Sequence, residues 1–218
     1  MNPWLIQKVS YLLLLGAIII YGISGRAFLD KAYRYIVLLV SATLIFEYWA
    51  ILLAKDRIPN GHVYILFSPI QTFLTACIYA QLITSRRLRI IGMIACVLIV
   101  ELWVWDLLSF DYNKSNINIT SRSVLFVLFA LLLFQEWVEN PKSKLSFGSP
   151  ILWFNMAILF FYLINILFWA VYNTPIQKQY IINKIFKFIR NYSNFIFYSI
   201  IWFSLIKAYI QKKKDTIT

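Results

Sequence analysis

Long apolar runs, interrupted by short polar clusters, dominate the chain from end to end. Seven stretches stand out, near residues 4–24, 35–54, 62–84, 88–108, 122–139, 150–172 and 190–210. At 1.5 Å of rise per residue, each is long enough to cross about 30 Å of hydrocarbon as a helix. Between them lie turn and breaker clusters: Gly25-Arg26, Asp56-Arg57-Ile58-Pro59-Asn60-Gly61, Ser85-Arg86-Arg87 and Asn140-Pro141-Lys142-Ser143. The longest connection, Ser109 to Ser121, is rich in Asn and Ser and reads as a loop. No connection is long enough to fold by itself. The pattern therefore predicts an all-α, polytopic transmembrane bundle of about seven spans, forming one domain over 1–218. The first stretch also has a feature of a secretory signal, with Lys8 ahead of an apolar run from Tyr11 to Tyr21. A single Lys and poor cleavage-site residues favour a retained helix.

Composition sharpens this picture. Hydrophobic residues make up 61% of the 218 and charged residues only 14%, against about 25% charged in an ordinary soluble domain. With so few charges, the excess apolar surface must face lipid, and a multi-pass cell-membrane protein is expected. The 18 Phe, 14 Tyr and 8 Trp agree, because amphipathic rings collect at the membrane interfaces. A net charge of +12 would raise the question of nucleic acid in a soluble protein. Here the basic residues are split among short loops that suit anionic headgroups, so the bilayer is the expected partner and nucleic acid is not. Cys77 and Cys96 both fall within apolar runs, and His62 is the sole histidine. Neither a disulfide framework nor a metal site is expected, and no cofactor.

Loop charges set the expected orientation. With the N-terminus outside, the inner side collects twelve of the 21 basic residues, including Arg86, Arg87, Arg89 and the run Lys212-Lys213-Lys214. N-out, C-in follows. Four of the outer nine, Lys178, Lys184, Lys187 and Arg190, precede the last span. From Ile181 to Arg190 the cations recur every three residues among Ile and Phe. This segment fits either a helix lying on the membrane surface or the polar start of a long last helix.

Ionisable residues inside hydrocarbon cost at least about 2.5–3.5 kcal/mol on insertion scales, so each asks for a reason. Glu47 lies in the second run and Glu101 in the fourth, and both fall in the outer half of the bilayer in the N-out arrangement. Polar partners are available. Ser68, Thr72, Thr75 and Tyr79 form one helical stripe on the third run, beside Gln71; Asn155, Tyr162, Asn165 and Trp169 form another on the sixth; Asn191, Asn194 and Tyr198 lie on the seventh. One reading is an outward-facing polar pocket lined by Glu47, Gln71, Glu101, Asn165 and Asn194, with both acids facing the interior at similar depth. The other is interhelical hydrogen bonding, at about 0.6 kcal/mol per contact. Val124 to Phe134 has no polar residue and is expected to face lipid.

No P-loop, zincin His pair or nucleophile elbow occurs, and no lysine sits at mid-depth in the last run to carry a retinal Schiff base. Phe46-Glu47-Tyr48-Trp49-Ala50, Asn60-Gly61-His62-Val63-Tyr64 and Ser68-Pro69-Ile70-Gln71, with Trp153–Tyr172 and Asn191–Phe203, resemble small seven-helix membrane proteins of Bacteroidota. In that family a Glu often stands where this chain has Gln71, so a paired-acid site is not implied here. The resemblance implies a fold and a place in a bacterial inner membrane, and no activity. The layout is also similar to the seven-helix input modules of some bacterial sensor kinases. Three functions stay open: a receptor-like or regulatory module that signals through a partner membrane or cytoplasmic protein; an intramembrane lipid enzyme or carrier using Glu47 and Glu101 as acid and base; and a pore-forming or defence effector subunit.

Overall fold

The computed structural model describes residues 3–25, 29–109, 115–140, 148–172 and 180–217. These residues form seven helices: α1 (Pro3–Ser24), α2 (Lys31–Lys55), α3 (Gly61–Leu82), α4 (Arg86–Ser109), α5 (Ser115–Glu139), α6 (Pro150–Tyr172) and α7 (Tyr180–Ile217). No strand occurs among the described residues. All but α4 are long and apolar enough to cross a membrane over the described residues. The described side chains of α4 include Arg86, Arg87, Arg89 and Glu101, which dilute its apolar run.

Local sequence explains the boundaries. Pro3 and Pro150 open α1 and α6, where a missing N–H costs nothing and the fixed φ suits the first turn. The end of α2 is a Schellman arrangement. Ile58 N–H donates to Leu53 O at 2.9 Å and Arg57 N–H to Ala54 O at 3.2 Å, with Arg57 at φ 60°. Asn60 Nδ2 then donates to Ala50 O at 3.1 Å, folding the connection back onto α2.

One boundary differs from the sequence reading, and at a second the structure takes one of the two alternatives. α5 begins at Ser115, inside the segment read as loop, because Ser and Asn favour the first turn of a helix as readily as a turn. The segment 181–190 is the start of α7 and not a separate surface helix: α7 runs unbroken for 38 residues, about 57 Å at 1.5 Å per residue.

Contacts group the chain into two units, 1–82 with 205–218, and 83–204. In the first, α2 packs between α1 and α3. Its core includes Leu15, Ile18, Ile36, Val40, Val63 and Ile78, each at most 2% exposed. The end of α7 closes this unit: Tyr209 meets Tyr21 edge-on at 5.6 Å, and Lys212 pairs with Asp30 at 3.5 Å. A side chain at Gly22 would collide with Val37, so α1 and α2 approach closely there.

In the second unit α5 is the central helix, packed on α4 and α6. Leu125, Phe126, Phe129, Ala130, Leu132 and Leu133 are all buried. The expectation that Val124 to Phe134 faces lipid is therefore wrong. Lipid tails are as apolar as Leu, so an all-apolar helix face is equally at home in a membrane protein's core. Instead α4 presents the exposed apolar surface, including Ile90, Met93, Ile94, Val97 and Leu98.

Candidate functional site

Glu47 belongs to the first unit, near the end of α2. Its side chain is 13% exposed; Lys8 Nζ of α1 lies 3.8 Å from Oε2, and Tyr64 Oη of α3 lies 3.5 Å away. The carboxylate thus ties three helices together through a cation and a phenol, and not through the Asn or Gln expected. Lys8, read as the basic start of a signal-like segment, is its ion partner. Gln71, also buried, lies seven residues past Tyr64 on α3, about 10 Å further along the axis. These two predicted site residues sit at different levels of the unit. The stripe above Gln71 is inward as its spacing requires: Ser68, Thr72, Thr75 and Tyr79 are all buried.

Glu101, Asn165 and Asn194 belong to the second unit. Glu101 is exposed on α4 and does not face the interior as expected. Asn165 and Asn194 are half-buried, and Asn165 Nδ2 donates to Phe161 O of its own helix at 2.8 Å. Ring contacts fix the register of these helices. Phe126 of α5 meets Tyr162 of α6 at 4.7 Å, and Phe161 of α6 stacks on Phe197 of α7 at 4.4 Å. Asn155 Nδ2 donates to Ala130 O at 3.1 Å, and Ser204 Oγ to Pro150 O at 2.6 Å. Both neighbouring pairs are therefore antiparallel. One turn from this aromatic layer, Arg122 of α5, Asn165 of α6 and Asn194 of α7 reach a common level. Glu101 comes within a turn of it, since Gly92 of α4 abuts Phe129 of α5.

Arg122 is the residue that sequence reading missed. Treated there as the boundary of the fifth run, it lies two turns inside α5 and is only 9% exposed. Its Nε and Nη1 are buried with no hydrogen-bond acceptor. The Tyr162 phenol is within electrostatic reach of it, and Tyr198 of α7 within reach of Tyr162. The available signal was a basic residue with no acid three or four positions away on either side, followed directly by apolar sequence.

A second missed residue is Glu136, only 5% exposed at the other end of α5. Its carboxylate accepts hydrogen bonds from Thr84 N–H at 2.9 and 3.0 Å, from Ser85 N–H at 3.4 Å and from the Thr84 hydroxyl. It caps the start of α4 from a neighbouring helix, where a negative charge complements the helix dipole. Among the described residues, no three His, Cys, Asp or Glu side chains group as metal ligands.

No protein family matches the chain, and neither do any curated protein or solved structure. The membrane assignment accordingly stands on helix length and composition: this is a multi-pass, all-α integral membrane protein.

Proposed function

We propose that the chain is a receptor-like or regulatory membrane module, N-out and C-in, that takes a small ligand into a polar site within its second unit. One observation carries this reading: the buried Arg122 guanidinium has donors without acceptors. An unpaired buried cation lowers stability, and proteins retain such groups where function uses them. Because α5 descends from the outer side in this orientation, Arg122 would lie in the outer half of the membrane. The inner basic clusters, Arg86-Arg87 and Lys212 to Lys214, suit anionic lipid or an acidic partner that carries the output. An acid–base role for Glu47 is disfavoured by its engagement with Lys8 and Tyr64.

Stability of the ligand-free protein tests the reading. Arg122→Met keeps the length of the side chain and removes the charge. It should raise the unfolding midpoint if the site awaits a ligand. A loss of about 3–5 kcal/mol, as expected for breaking a structural ion pair, would refute it. Single cysteines at Asn60 and Ser115, in a background lacking Cys77 and Cys96, should label with an impermeant thiol reagent from outside. One at Ser143, outside the described residues, should not. The reverse pattern would overturn the orientation.

A further inference from the structure

We infer that the ligand at Arg122 is an oxyanion, a carboxylate or phosphate group, held by the guanidinium together with the side-chain amides of Asn165 and Asn194. The inference rests on the reading above and adds the ligand's chemistry. Charge comes first. A guanidinium is always protonated and has no acceptor of its own, so the group completing it must be an acceptor, and an anion removes the cost of the bare charge. Among the described residues no acid pairs with Arg122: Nε and Nη1 are buried without an acceptor, and Glu101, within a turn of it, is exposed. Nor can a helix of a second chain reach it, because nine-tenths of the side chain is already covered. A small group remains.

The surroundings suit an oxyanion with an apolar body. Asn165 commits one donor to its own helix and keeps another N–H, and Asn194 brings an amide from the third helix at the same level. Arg122, Asn165 and Asn194 thus share one level on three helices, and donors from several elements are what recognition of a multi-oxygen group requires. One turn away, Phe126, Tyr162, Phe161 and Phe197 form an aromatic layer. It offers an apolar floor for the part of the ligand that carries the acid.

The test measures the unfolding midpoint of the full chain in phosphatidylcholine nanodiscs. The probes are inorganic phosphate, benzoate, decanoate and added phosphatidylglycerol, with decanol and decyltrimethylammonium as uncharged and cationic controls. At least one oxyanion should raise the midpoint of the parent while both controls do not. A response to phosphate or benzoate identifies a soluble anion, and a response to phosphatidylglycerol alone identifies a lipid headgroup. The shift should vanish in Arg122→Met and survive, weakened, in Arg122→Lys, which also guards against misfolding. Asn165→Leu and Asn194→Leu should each weaken binding by about tenfold, the equivalent of roughly 1.4 kcal/mol. No oxyanion response in the parent, or one that persists in Arg122→Met, overturns the inference. An Arg122-dependent response to a control overturns the oxyanion and leaves the receptor reading standing. Lower ligand-free stability of Arg122→Met removes both.

Discussion

Removing the Glu136 carboxylate should loosen the start of α4 by an amount that the geometry lets one work out. Glu136→Ala strips the acceptor from Thr84 N–H, Ser85 N–H and the Thr84 hydroxyl. A hydrogen bond to a charged acceptor contributes about 1.5–3 kcal/mol. Three bonds at that rate would overstate the effect. Ser85 N–H, at 3.4 Å, is at the long limit, and Thr84 N–H divides one proton between two oxygens. Thr84 is exposed, so water restores part of what it loses. Two bonds at the lower end give about 3 kcal/mol, and loss of a negative charge at the helix N-terminus adds about 0.5 kcal/mol. Glu136→Gln keeps one acceptor oxygen but turns an amide donor toward other donors, so roughly half the loss is expected. Equilibrium unfolding of the purified protein, followed through its 8 Trp, reads both values. Hydrogen exchange should localise the faster opening to the amides of the first turn of α4. Glu139 is the matched control: it is exposed, accepts from Gln135 of its own helix at 2.7 Å, and should cost no more than about 0.5 kcal/mol when changed to Ala. If Glu136→Ala costs no more than Glu139→Ala, the cap is wrong.

Two further substitutions probe one packing contact and one ion pair. A Cβ at Gly92 would lie 2.5 Å from Cε1 of Phe129, so Gly92→Ala should destabilise the protein by about 1–3 kcal/mol, and adding Phe129→Leu should recover much of this in the same unfolding assay. Lys8 and Glu47 are 32% and 13% exposed, so a double-mutant cycle with Lys8→Met and Glu47→Gln should return a coupling of about 0.5–1 kcal/mol; a coupling of zero would mark the pair as a contact without energy.

Helix existence was legible in the sequence because the membrane imposes a length and an apolar composition that few other structures satisfy. All seven runs became helices, and most edges marked by Pro, Gly or charge clusters fell within a few residues of expectation; α7, at Tyr180–Ile217, instead runs well past both ends of its apolar run at 190–210. Edges marked only by Ser and Asn did not: Ser115 to Ser121 became helix, and that error hid the site. With α5 beginning at residue 122, Arg122 is a wet residue at a membrane boundary. With α5 beginning at Ser115, the same residue is two turns inside a helix whose next turns are buried. The burial of α5 was itself illegible, since an apolar stripe facing lipid and one facing protein have the same composition. Polar residues carried more information, but only about the face on which they lie. Spacing put Ser68, Thr72, Thr75 and Tyr79 on one inward stripe correctly, while for the acids it left open which neighbour answers the charge. For Glu47 the answer was Lys8, thirty-nine positions earlier in the chain, and for Glu136 it was the backbone of Thr84 and Ser85. Each of these two charges found its partner outside its own helix, Glu47 on α1 and α3 and Glu136 in the connection between α3 and α4, at pairings that periodicity within one helix cannot encode. Arg122 is the exception that gives the site its meaning: among the described buried charges it alone has side-chain donors that no residue answers.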